Sequence, residues 1–230
     1  MNTETKDDNS HVSVSTAGDV NGDGYDDVIV GASRADRNVE YDYGIAGASR
    51  SDQDSSYWVS SYVVFGKANG FSAAMDLSSL DGSNGFILDK DMHFYASGLA
   101  GASVSNAGDV NGDGFDDVII GISRYGNGGS SYVVFGKASG FNAAMDLSSL
   151  DGKNGFRLEG GEENYYSGIS VSTAGDVNGD GFDDLIIGSW RYQQNAKWPD
   201  SSYVVFGKAS GFDATLNLSS FDEHDGFRLD

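Results

Sequence analysis

One nine-residue stretch occurs three times with almost no change: Asp19-Val-Asn-Gly-Asp-Gly-Tyr-Asp-Asp27, then residues 109–117 and residues 176–184. Side-chain oxygens stand at its first, third, fifth and ninth places. In the first copy these are Asp19, Asn21, Asp23 and Asp27, in the second Asp109, Asn111, Asp113 and Asp117, and in the third Asp176, Asn178, Asp180 and Asp184. A glycine holds the sixth place each time, as at Gly24, where a loop that folds on itself needs a sharp turn or a positive φ. The pattern predicts a loop that sends alternate side chains inward around a cation, with the seventh residue, Tyr25, Phe115 or Phe182, offering its main-chain carbonyl.

All these ligands are hard oxygens, with neither Cys nor His among them, so the expected ion is Ca²⁺, one per loop and three in all. Mg²⁺ fits less well because it demands strict octahedral geometry and keeps its waters. Three carboxylates about 4 Å apart repel by roughly 4 kcal/mol per pair at an effective dielectric near 20, so a loop without a cation should open. Asp, Asn and Gly also make polar turns with no metal, but three copies with the same ligand places argue against that reading. An EF-hand is excluded. Its twelfth place needs a bidentate Glu, and here that place holds Val30, Ile120 and Ile187 within apolar runs that read as strands.

Three further segments recur with the loop, so the repeat is larger than the metal site. A short alternating strand precedes each loop, here strand A: residues 11–17, 102–107 and 170–174. Strand B is the apolar run behind the loop. Strand C is Ser61-Tyr-Val-Val-Phe-Gly-Lys67, repeated word for word at 131–137 and 202–208, and its apolar character on both faces predicts a central strand covered on both sides. A polar connection leads to strand D, residues 85–89, 155–159 and 226–230. Phe65, Phe135 and Phe206 recur at steps of 70 and 71 residues, whereas the loops recur at 90 and 67. The difference lies in an insertion at residues 33–57 of the first unit, and length variation of this kind marks a surface loop.

Four antiparallel strands per unit, with small residues on the innermost strand, describe an all-β fold of β-propeller blades. An open solenoid is the other architecture such repeats allow. The chain divides into a polar tail at 1–9, blade 1 at 10–89 with its insertion, blade 2 at 98–159 and blade 3 at 166–230.

The residues Ala-Gly-Asp-Val-Asn-Gly-Asp-Gly with Asp-Asp, the apolar strand behind them, and Gly31-Ala-Ser33 make the unit resemble the FG-GAP repeat of integrin α-subunit propellers and of many bacterial secreted proteins. The resemblance covers nearly the whole chain and implies that the Asp-rich loop between the first two strands binds Ca²⁺. Two departures concern corners. The family's Phe-Gly before strand A is Ser97-Gly98 and Ser167-Gly168 here, and its Gly-Ala-Pro becomes Gly121-Ile-Ser123 and Gly188-Ser-Trp190. Propellers close with about four to eight blades, and the resemblance implies seven in the integrins. Three blades therefore predict part of a larger propeller, or a second copy that completes six.

Composition narrows the function. A formal charge of −21 argues against nucleic acid or an anionic membrane as partner. Aromatic residues at 12% are too many for a disordered acidic chain. With no cysteine there is no disulfide framework and no thiol chemistry. The first ten residues lack the apolar core of a signal peptide, and no stretch reaches the length of a membrane span. His11, His93 and His224 fall at unmatched places, and no nucleophile elbow, phosphate loop or HExxH occurs, so no catalytic residue is expected.

Strand alternation puts the calcium loops and the C–D connections on one rim. The other rim collects the variable aromatic residues: Tyr41, Tyr43, Tyr57 and Trp58, Tyr125, Trp190, Tyr192 and Trp198, with Phe94, Tyr95, Tyr165 and Tyr166 in the links. That rim is the expected recognition surface for a protein or glycan ligand, unless its rings fold back over the blade edges. The sequence thus predicts a calcium-stabilised extracellular or cell-surface propeller module for adhesion or recognition, exported by a signal outside this chain. The alternative is a non-catalytic accessory region of a secreted hydrolase or lyase.

Overall fold

The computed structural model describes residues 11–35, 57–90, 102–123, 128–160, 165–191, 201–220 and 222–230. Blade 1 is the antiparallel sheet of β1 (His11–Gly18), β2 (Asp27–Ala35), β3 (Tyr57–Val64) and β4 (Gly85–Lys90) in that order. Blade 2 repeats it with β5 (Ala102–Gly108), β6 (Asp117–Ile122), β7 (Ser130–Val134) and β9 (Gly155–Glu159). Blade 3 is β10 (Tyr165–Gly175), β11 (Asp184–Arg191), β12 (Ser201–Val205) and β14 (Gly226–Leu229). The four antiparallel strands of each sheet come from a single repeat. A solenoid would carry its ladders from repeat to repeat along all its strands, so the units are propeller blades, and the described residues form an open array of three.

The blades stack through apolar faces that follow from strand alternation. On β3, Val63 points toward blade 2 while Tyr62 and Val64 point the other way, and all three are buried. One core lies between blades 1 and 2, where Ala17, Val20, Ile29, Phe86 and Leu88 meet Val104, Val118, Ile120 and Leu147. Its counterpart between blades 2 and 3 joins Ala107, Val110, Ile119, Phe156 and Leu158 to Val171, Leu185, Ile187 and Leu218. Phe86 stacks face to face on Phe141 of the next blade with centroids 4.2 Å apart, and Phe156 does so on Phe212 at 4.1 Å.

A further strand bridges each pair of blades. In the C–D connection of blade 2, β8 (Ala144–Asp146) pairs in parallel with the outer strand β4 of blade 1, and β13 (Thr215–Asn217) of blade 3 pairs likewise with β9 of blade 2. These two strands fall where a plain connection is expected. Residues such as Ala144 and Met145 carry no strand pattern of their own, and the neighbour's open edge supplies the hydrogen bonds.

The aromatic rim differs from expectation at its borders. Strand β2 runs on to Ala35 and β3 starts at Tyr57, with Trp58 opposite Arg34, so Tyr57 and Trp58 belong to a strand. Tyr165 and Tyr166 likewise belong to β10, opposite Arg191 and Trp190, and are not in a link. Pairing with the partner strand extends both elements beyond the alternating pattern. Tyr41, Tyr43, Phe94, Tyr95, Tyr125, Tyr192 and Trp198, with His93, lie outside the described residues.

Candidate metal centre

The Asp-rich loops join β1 to β2, β5 to β6 and β10 to β11. Two glycines give each loop its curl. Gly22 and Gly24 have φ of 73° and 88°, and Gly112, Gly114, Gly179 and Gly181 repeat these left-handed angles. The fourth-place glycine is as necessary as the sixth, a demand that the oxygen spacing does not reveal.

The first, third and fifth side chains turn into the loop. Asp19 accepts from the Asp23 N–H through Oδ1 (3.0 Å) and from the Gly24 N–H through Oδ2 (2.8 Å). Asn21 Oδ1 accepts from the Asp23 N–H at 2.8 Å, and Asp23 Oδ1 from the Tyr25 N–H at 3.0 Å. The second and third loops repeat the arrangement. Asp109 accepts from the N–H groups of Asp113 and Gly114, and Asp176 from those of Asp180 and Gly181. Asn111 and Asn178 accept from the same N–H groups of Asp113 and Asp180, whose own carboxylates accept from Phe115 and Phe182.

The ninth residue is a buried anchor. Asp27 accepts from the Val20 N–H at 3.1 Å and, through its other oxygen, from the Gly66 N–H at 2.8 Å, tying the loop to the end of strand C. Asp117 does this with Val110 and Gly136, and Asp184 with Val177 and Gly207. Burial is the main force pushing the Asp27 carboxyl up to about 6, against the two N–H donors that lower it, and the negative Asp23 and Asp19 push further. The same causes push Asp117 up to about 8 and raise Asp184. All three side chains are covered, and burial is the largest cause in each.

These observations bear on whether a cation suits the loop. Among the described residues no three His, Cys, Asp or Glu side chains gather closely enough to hold an ion by themselves. The donor set is broader, since it includes an Asn amide oxygen and a main-chain carbonyl. Each carboxylate has about four lone-pair positions, so those already taking backbone N–H groups keep capacity. An acidic cluster whose negative neighbours help to push the ninth carboxyl upward suits a hard divalent cation, which would offset that repulsion.

The seventh and eighth residues have roles that sequence reasoning missed. The Phe115 ring lies over Gly22 of the preceding loop, and the Phe182 ring over Gly112, so that a Cβ at either glycine would collide with it. Asp116 Oδ2 accepts from the Asp19 N–H at 2.8 Å, and Asp183 Oδ2 from the Asp109 N–H at 3.0 Å. Backbone bonds from Lys137 to Val20 and from Lys208 to Val110, both 2.9 Å, complete the seam. The three loops are therefore joined blade to blade. The sequence signal is an aromatic residue at the seventh place and an Asp at the eighth in all three copies.

On the opposite rim, Tyr166 is buried and stacks on the part-exposed Trp190 with centroids 5.3 Å apart. His224 is exposed in a turn where its N–H bonds Asp222.

Comparison with known proteins agrees with this architecture. The FG-GAP repeat profile matches residues 12–50, 100–134 and 167–196, each match beginning in a blade's first strand or just before it and spanning the Asp-rich loop. The chain carries three FG-GAP repeats. Integrin alpha pat-2 of Caenorhabditis elegans is 34% identical to the chain over 97 residues, 41% of the chain's length. Integrin alpha-4 of Xenopus laevis is 25% identical over 123 residues and integrin alpha-6 of Homo sapiens 28% over 128, each 53% of the chain. The FG-GAP chain spans only 7%, 11% and 10% of these three relatives. Its fold is an integrin-like β-propeller array.

Proposed function

We propose that this chain is a calcium-stabilised extracellular propeller module that recognises a protein or glycan ligand. The observation that carries the proposal is the threefold recurrence of one loop geometry, in which the side chains at places one, three and five accept N–H groups of their own loop and the ninth Asp is buried. Asp19, Asn21, Asp23, Asp27 and the carbonyl of Tyr25 would hold the first ion. Asp109, Asn111, Asp113, Asp117 and Phe115 would hold the second, and Asp176, Asn178, Asp180, Asp184 and Phe182 the third. Calcium supplies positive charge that offsets the crowded carboxylates. The protein's own part is to fix the loop between strands A and B, with the ninth Asp pinning it to strand C. Loops of this donor chemistry fill where calcium is near millimolar, which suits an extracellular setting, as does similarity to integrin alpha chains.

Recognition is assigned to the rim away from the loops, where Trp190 stands part-exposed on Tyr166. Isothermal calorimetry with CaCl₂ tests the metal assignment. Three sites per chain are expected, with Mg²⁺ at equal concentration displacing little. Absence of binding at millimolar Ca²⁺ would refute it. Ligand capture on immobilised glycans or receptor fragments, compared between the wild type and Trp190→Ala, tests the rim. Equal capture by a folded variant counts against that surface.

A further inference from the structure

The two outward faces of the array are the two halves of the interface that it uses twice inside itself. On the face that blade 3 turns away from blade 2, Val177, Ile186, Phe227 and Leu229 stand where blades 1 and 2 have Val20, Ile29, Phe86, Leu88 and Val110, Ile119, Phe156, Leu158. Those eight are covered by a following blade. Val177, Phe227 and Leu229 are 51%, 41% and 47% exposed. At the other end, Val14 and Val28 of blade 1 are 70% and 48% exposed, whereas their counterparts Val104, Val118, Val171 and Leu185 are buried.

The ring stack tells the same story. Each internal interface is locked by an outer-strand Phe lying flat on a Phe of the following blade's C–D connection. At the ends the same two positions are held by Phe227, whose ring tilts against Phe206 of its own blade, and Phe71, which is 55% exposed. The backbone offers a matching pair of edges. Blade 1 carries Ala73-Ala-Met-Asp76, identical to the residues 143–146 that contain β8, yet among the described residues no preceding outer strand pairs with it. Strand β14 is likewise the outer edge of its sheet.

We infer that a second copy of this chain docks head to tail, its blade 1 against blade 3 of the first, and that two copies close a six-bladed ring. Such a contact is heterologous and closes if the rotation allows, and six blades lie within the range that propellers adopt. By the register of the internal pairs, Arg228, Leu229 and Asp230 would face Ala74, Met75 and Asp76 of the second copy. Phe227 would stack on its Phe71. One position departs from the internal pattern. Gly82 and Gly152 sit where a Cβ would strike the carbonyl of Phe141 or Phe212. Blade 3 has Glu223 there, within a turn of different hydrogen bonding. This turn has to yield on docking, so Glu223→Gly tightens association.

Sedimentation equilibrium of the purified chain in Ca²⁺ tests the inference, with a mass of twice 24.3 kDa expected. Val14→Asp and Leu229→Asp each spoil one face at an exposed position, so each protein should fold as a monomer, with a circular dichroism spectrum like that of the wild type. An equimolar mixture of the two retains one good face of each kind and should recover a dimer through a single contact. A wild-type monomer at all soluble concentrations overturns the proposal. So does a dimer that survives either substitution, a mixture that stays monomeric, or a mass that climbs without limit. None of these readings depends on whether the loops bind calcium.

Discussion

At the eighth place of the second and third loops a carboxylate faces away from its neighbours and toward the preceding blade. Asp116 receives the Asp19 N–H, a part-buried donor that would otherwise lose its partner. Asp26 is the same residue in blade 1, where among the described residues no preceding blade presents an N–H. Asp116→Ala should therefore lower unfolding free energy by about 1 kcal/mol or somewhat more, toward the lower end of the cost of stranding a donor because this one is part-buried. In the monomer, for which the Val14→Asp background serves both measurements, Asp26→Ala should stay within about 0.5 kcal/mol, as exposed substitutions do. Urea titration of both variants measures the difference, and equal losses would sink the seam as described. Calorimetry separates the seam from the ligands. Asp113→Ala should remove one of three calcium sites, while Asp26→Ala keeps all three. The loop pattern is legible in the sequence because positions one, three, five and nine act within nine residues. The seam is not, because Asp116 and Asp19 are 97 residues apart and nothing local marks their meeting.

Strands A to D are legible for a physical reason: each buries a regular share of apolar side chains, so alternation or an unbroken apolar run writes them into the sequence. The connecting strands β8 and β13 follow a different logic. Their strand conformation comes from the edge of the preceding blade, and a segment such as Ala144-Met145-Asp146 shows no period of its own. The lengthened β3 and β10 are similar, since pairing of Trp58 with Arg34 and of Tyr166 with Trp190 carries the ladder past the patterned core. Packing between blades can be tested at one repeated position. Phe156 is fully buried between Phe135 and Phe212, so Phe156→Ala should cost about 3–5 kcal/mol. Phe227 has the same place in blade 3 with its outer face open, so Phe227→Ala should cost the isolated monomer much less, about 1–2 kcal/mol by the area left exposed. Thermal melts of dilute protein rank the two, and a larger loss for Phe227 would contradict the packing described.

Over the whole molecule the loops, the seam and the blade cores form one load path, so an ion held in one loop should steady its neighbours. Phe115 bears on Gly22, Asp116 on Asp19, and the buried Asp27 and Asp117 tie both loops to strand C. Ligand linkage sets the size of the effect. A site with Kd of about 10⁻⁴–10⁻³ M, in the extracellular range, contributes about 0.4–1.4 kcal/mol at about 1 mM Ca²⁺. Three sites then give roughly 1–4 kcal/mol. For a chain of 230 residues each kcal/mol moves Tm by about 2–4 °C, so excess EGTA should lower the melt by several degrees, up to about 15 °C. The loss should be recovered by Ca²⁺ and scarcely by Mg²⁺ at the same ionic strength, because a charge of −21 responds to any salt through screening alone. A chain whose melt ignores EGTA holds its blades by apolar packing and the carboxylate seam, and its loops are then ordered by their own hydrogen bonds.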